Sequence, residues 1–162
     1  MANDYFKRID LLRLYKPLAT NAQRFQAALL AAGREFWGTS GFRSLEEQAR
    51  LYAQGRTLPG AIVTNAKPGQ SWHNWGLAID FTADRSPDLG LQPTWEAGMY
   101  DIMGQLAPKF GLEWGGSWTS FKDLPHIQLP VARFGITLAD IQRVHAQGGY
   151  STVWTYLDRY NW

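Results

Sequence analysis

Cysteine is absent from the 162 residues. That excludes disulfides and thiolate chemistry, and it leaves only nitrogen and oxygen ligands for any metal. A cysteine-free chain works in any redox compartment, so the absence does not locate the protein. An excess of one charge is also missing: sixteen Lys and Arg against fourteen Asp and Glu leave a net of +2. With no basic helix and no run of Lys or Arg, the footprint of a nucleic-acid partner is lacking. No apolar run reaches the length that spans a bilayer, which speaks against membrane insertion. The opening MANDYFKRIDLLRLY carries Asp4, Lys7, Arg8, Asp10 and Arg13 among its apolar residues and lacks the apolar core of a signal peptide. The expectation is a chain synthesised in the cytoplasm that something else must move if it acts outside.

What is present is enough for one domain. Apolar residues make up 45%, and the length supports a single real core but not two ordinary ones. PLATNAQRFQAALLAAG has apolar residues at helical spacing and ends at Gly33, a suitable C-terminal cap. EFWGTSGF reads as a strand. SLEEQARLYAQG opens with a capping box, Ser44 and Glu47, and closes at Gly55. Residues 56–70 form a long loop of the kind that often carries function. GLAIDFTA is a strand, residues 94–107 a helix stopped by Pro108, GLEWGG a short strand and turn, and PHIQLP a strand fenced by prolines. TLADIQRVHAQGG repeats the capping pattern with Thr137 and Asp140 and stops at a double glycine; STVWTYLDRY is a final short helix. Strands alternating irregularly with helices predict an α+β domain, a mainly antiparallel sheet flanked by helices, with short C-terminal helices. Residues 1–130 form the expected catalytic part and 131–162 an extension packed on it, too short to bury a core of its own.

Among the three histidines, His73 lies in QSWHNWGLAIDF seven positions before Asp80, and His126 follows Asp123 by three in KDLPHIQ. A catalytic zinc takes three protein ligands and keeps one open position for water. His73, Asp80 and His126 would supply that set, with Asp123 left free to accept the water's proton and pass it to the leaving amine. Taken singly, each residue also fits a core histidine or a surface acid. Asp80, between Ile79 and Phe81, needs a partner if it points inward and is an ordinary surface acid if it points outward.

Several motifs in order settle the choice by resemblance. SWHNWGLAID is similar to the Ser-x-His-x-x-Gly-x-Ala-x-Asp signature of the LAS zinc peptidases (lysostaphin-type, D-Ala-D-Ala and sonic-hedgehog-type metal sites). More closely, roughly residues 8 to 130 resemble the L-alanyl-D-glutamate peptidases used as phage endolysins, through TSGFRSLEEQ, IVTNAKPGQSWHNWGLAIDF, EWGGSW and FKDLPHIQ. The resemblance implies a hedgehog/DD-peptidase-like fold, zinc held by His73, Asp80 and His126, and Asp123 as catalytic base. It implies that Arg43, in SGFRS, faces the site, where a guanidinium would stabilise the developing oxyanion. Ser71, Gln48, Glu113 and Trp114 are candidates for substrate contact, Glu113 also as a rival base. The partner implied is the peptidoglycan stem peptide, cut between L-Ala and D-Glu by a monomer that reaches the wall after the membrane is opened. A D-Ala-D-Ala carboxypeptidase or dipeptidase of the same fold, and a non-catalytic zinc or wall-binding domain, are the alternatives.

Overall fold

Along residues 78–84 the side chains alternate: Ile79, Phe81 and Ala83 are fully buried in the core, while Asp80, Thr82 and Asp84 project to the opposite face. In the computed structural model, which describes residues 4–85 and 91–162, this strand, β2 (Ala78–Asp84), is the centre of a five-stranded antiparallel sheet. β1 (Phe36–Ser40) pairs along one edge of β2. Along the other edge run β3 (Pro93–Thr94) and β5 (His126–Gln128), with β4 (Glu113–Trp114) beyond β5. The register sets Asp80 opposite Ser40 on one side and His126 on the other. Directly paired residues share a face, so these three side chains stand in one row.

Helices cover the apolar face. α1 (Lys16–Ala31) turns Leu18, Ala22, Phe25 and Leu29 into the core, an i, i+4, i+7, i+11 stripe, and Gly33 follows it with φ +71°. α2 (Leu45–Ala53) starts at the Ser44–Glu47 box, with both reciprocal bonds made. α3 (Ala97–Leu106) buries Tyr100 and Met103 and runs into a 3₁₀ turn at Ala107–Phe110. It starts three residues later than the sequence pattern predicts. Thr94 is instead drawn into β3, where it is buried and its carbonyl accepts the Tyr100 hydroxyl at 2.9 Å.

α4 (Leu138–Leu157) opens on the Thr137–Asp140 box and breaks at Gly148 and Gly149, so it is two short helices in effect. Val131, Ile136, Ile141, Val144, Val153 and Leu157 join the same core as the sheet. Trp154 donates its indole N–H to the Trp75 carbonyl at 3.2 Å, and Gln142 reaches the Gly69 carbonyl at 3.0 Å. The last thirty or so residues therefore clamp the segment that carries His73. His145 belongs to this packing, its ring 5.1 Å from that of Trp75. Among the described residues no helix is long and apolar enough to cross a membrane.

Candidate metal centre

His73 sits in a 3₁₀ turn, Trp72–Trp75, that ends on Gly76 with φ +70°. A side chain at Gly76 would meet the Arg13 carbonyl at 2.8 Å, so only glycine lets this turn lie so close to the N-terminal segment. Buried Asn74 fastens the turn from within: its amide donates to the Arg43 carbonyl at 2.9 Å and its oxygen accepts the Gly69 N–H at 3.0 Å. Asp80 comes from the middle of β2 and His126 from the first residue of β5.

These three elements bring His73 Nε2, Asp80 Oδ1 and His126 Nδ1 into a triangle with edges of 3.1, 3.2 and 3.3 Å. A tetrahedral ion with bonds of about 2.0 Å to nitrogen and oxygen sets its ligands about 3.3 Å apart. The triangle has that size. Among the described residues this is the one group of three such side chains close enough to share an ion.

The donor chemistry agrees with the spacing. His73 Nδ1 lies 2.8 Å from the Gly41 carbonyl, which only accepts, so Nδ1 carries the hydrogen and Nε2 keeps its lone pair. His126 Nε2 lies 2.9 Å from Gln128 Oε1, which leaves Nδ1 bare in the same way. Two lone pairs and a carboxylate oxygen thus converge, a donor set that suits a cation at its centre. Burial tends to raise the Asp80 carboxyl. When the imidazoles are protonated, the charge of His73 and hydrogen bonds from both rings overcome this and hold it far below the ordinary carboxylate range. His126 shifts upward although burial pulls it down, because its protonated ring would donate to Asp80 and feel that carboxylate's charge.

Arg43 faces the other carboxylate oxygen, its Nη2 3.8 Å from Asp80 Oδ2 and 3.1 Å from Ser40 Oγ. Its Nη1 donates to Gln48 Oε1 at 3.0 Å. Gln48, expected to line the cleft, is instead fully buried, and its amide donates to the Ala66 carbonyl at 2.7 Å. It sits behind Arg43 because the helix turn that begins at Ser44 points it at the core side of the 64–66 loop. Asp123 is half-buried, and its side chain makes no hydrogen bond or ion pair with the described residues. Burial first, and the charge of Asp80 second, push its carboxyl above the ordinary value, against the pull of His126, His73 and Arg43. Its backbone turn is held by Gly115, whose carbonyl accepts the Asp123 N–H at 3.1 Å.

The remaining candidates take supporting positions. Ser71 is half-buried at the start of the His73 turn, its backbone N–H turned to Asn74. Glu113 accepts the Trp118 indole N–H at 2.6 Å, and the Trp118 ring lies 5.2 Å from that of His126. Trp114, expected at the substrate, donates its indole N–H to the Leu124 carbonyl at 2.7 Å and lies over Gly104 and Gly116. Its ring is wedged between helix and loop because Gly104 and Gly116 make room for it, since a Cβ at either would overlap the ring. Sequence reasoning missed Gly41, Asn74 and Gln128. Only the His-x-Gln spacing in β5, which puts both side chains on one face, could have pointed to Gln128.

Three nitrogen and oxygen donors converging on an antiparallel sheet, with an acid and a guanidinium alongside, form a site of the kind a metal-dependent hydrolase uses. The chain belongs to the VanY family, D-alanyl-D-alanine carboxypeptidases, whose profile matches residues 11–122. It is an enzyme of that peptidase family. The chain is 40% identical over 123 residues to the peptidoglycan L-alanyl-D-glutamate endopeptidase CwlK of Bacillus subtilis (strain 168), covering 72% of this chain and 73% of that protein. Among solved structures it is similar to the L-Ala D-Glu endopeptidase ChiX of Serratia marcescens, with 26% identity, a TM-score of 0.54, and 78% and 87% of the two chains covered. A variant of the vancomycin-resistance D,D-pentapeptidase VanY in complex with Zn(II) shares the fold at 20% identity and a TM-score of 0.52, covering 86% of this chain and 81% of that one.

Proposed function

We propose that the chain is a zinc-dependent peptidoglycan peptidase that hydrolyses the L-Ala–D-Glu bond of the stem peptide. The observation that carries the metal is the triangle of His73 Nε2, Asp80 Oδ1 and His126 Nδ1, all three presented as electron-pair donors. The 40% identity to an L-alanyl-D-glutamate endopeptidase supports the bond. Zinc held there would supply Lewis acidity, bringing the pKa of water from 15.7 to about 7 and polarising the scissile carbonyl. Asp123 takes the proton of the attacking water and delivers it to the leaving D-Glu amine, a task suited to a carboxyl whose pKa is raised. Arg43, fixed by Gln48 and Ser40, points its guanidinium at the oxyanion that develops on the carbonyl. Ser71, Glu113 and Trp118 border the site, while Gln48 and Trp114 serve as its framework. The resemblance to phage endolysins supports a lysis role, for a single chain that reaches the wall once the inner membrane is open.

A second reading, a D-Ala-D-Ala carboxypeptidase, is favoured by the family match itself. Digestion of purified peptidoglycan, with mass spectrometry of the products, separates the two. Fragments ending in L-Ala, with matching free D-Glu amines, that vanish on chelation support the first. Released D-Ala moves the assignment to the second. No product from a folded, zinc-loaded chain overturns both.

A further inference from the structure

The two histidines reach the shared point through different ring nitrogens, Nε2 from His73 and Nδ1 from His126. Each choice is set by what holds the opposite nitrogen. For His73 it is a backbone carbonyl, that of Gly41, which no substitution removes. For His126 it is a side chain. Gln128 stands two residues further along β5, on the same face, buried, with Oε1 2.9 Å from His126 Nε2.

His126 stands between two competing acceptors. Asp80 Oδ1, 3.2 Å from Nδ1, attracts a hydrogen to that nitrogen, whereas Gln128 attracts it to Nε2. Only the second arrangement leaves Nδ1 free to donate to a metal. The ring is packed on two sides, its centroid 5.2 Å from that of Trp118 and 5.1 Å from that of His73. We infer that Gln128 is a positioning residue for the metal centre: its Oε1 accepts the His126 Nε2–H and so fixes the tautomer that presents Nδ1 to the ion. The role rests on the zinc reading above, and it reaches the reaction only through His126.

The test compares the full-length wild type with Gln128→Leu, which keeps the volume and removes the acceptor, and with Gln128→Glu, which restores one. Two quantities are measured: zinc affinity by chelator competition, and the histidine tautomers of the metal-free proteins by long-range ¹H–¹⁵N correlation in mildly alkaline buffer. Loss of such a supporting bond typically weakens metal binding by about 10- to 100-fold. Gln128→Leu is expected to show that loss, with hydrogen moving to His126 Nδ1 while the His73 signals stay put. Gln128→Glu is expected to bind within a few-fold of wild type with Nε2–H restored. Wild-type affinity and an unchanged His126 tautomer in Gln128→Leu overturn the role. So does failure of Gln128→Glu to recover, since packing rather than the acceptor would then be what matters. A wild-type chain that takes up no zinc overturns the metal centre and this role together.

Discussion

Gly115→Ala perturbs the candidate base with the smallest possible change. A Cβ at Gly115 would lie 2.6 Å from the Asp123 carbonyl oxygen, 3.2 Å from the Asp123 Cβ and 3.1 Å from the His126 Cβ. Ordinary contact begins at 3.4 Å, so the Asp123 backbone must move by about 0.8 Å, whereas His126 need give only about 0.3 Å. The neighbour at the closest distance is backbone, so no flexible side chain can absorb the overlap. Overpacking of this kind costs about 1–3 kcal/mol of stability, and a displacement near 1 Å of a group that must meet the reacting atoms costs about 100-fold in rate. The expected phenotype is therefore a kcat lower by about 30- to 100-fold on a synthetic stem peptide, with KM and zinc content nearly unchanged and a melting temperature lower by several degrees. Gly98→Ala is the control: it lies in α3 with open space around it, and alanine is the better helix former by about 0.5–1 kcal/mol. It should keep full activity. A Gly115→Ala enzyme within two-fold of wild-type kcat would refute the assignment of Asp123 as the group that moves the proton.

Asp123→Asn should retain zinc, because the residue lies outside the donor triangle, yet lose about 10²- to 10⁴-fold in turnover; metal analysis beside kcat separates the two effects. The Asp140 carboxyl, held by the Thr137 hydroxyl and backbone N–H, is pulled from 3.8 down to about 2. A depressed acid stabilises the fold above its unfolded pKa and loses that contribution as pH falls through the folded value. The start of α4 should therefore weaken between about pH 4 and pH 2, with a side-chain chemical-shift midpoint near 2. A midpoint at the ordinary value would show that this cap does not persist in solution.

Local devices were legible in the chain and long-range ones were not. The Ser44–Glu47 and Thr137–Asp140 boxes are formed as their spacing predicts, since every partner lies within three residues. GLAIDFTA also reads directly as a strand, but the side Asp80 takes depends on which face the core covers: Ile79, Phe81 and Ala83 turn to the core and Asp80 to the opposite face. Thr94 shows the limit: its local context suits a helix, but pairing with Ala83 across the sheet prevails. Gln48 shows another. Its position one turn from Ser44 is visible in sequence, but its side relative to Arg43 depends on a loop sixteen to eighteen residues further on. The three candidate ligands were legible because they lie in short contiguous motifs, and the structure brings them together. Gly41, Asn74 and Gln128, which orient them, carry no such signature, since a carbonyl or an amide is an ordinary group until its neighbour is known.

The clamp of α4 on the His73 turn has a consequence for swapping parts between relatives. The family match stops at residue 122, a tempting junction for a chimera. Beyond it lie Asp123, His126 and Gln128, and also Trp154 and Gln142, which grip the Trp75 and Gly69 carbonyls from the far end of the chain. A donor segment spliced in there must match its recipient along two seams at once, one in the sheet and one against the turn. Homologous exchange at that point should yield mostly inert chains, whereas an exchange that carries 69–76 together with 123–157 moves the whole lock with its key.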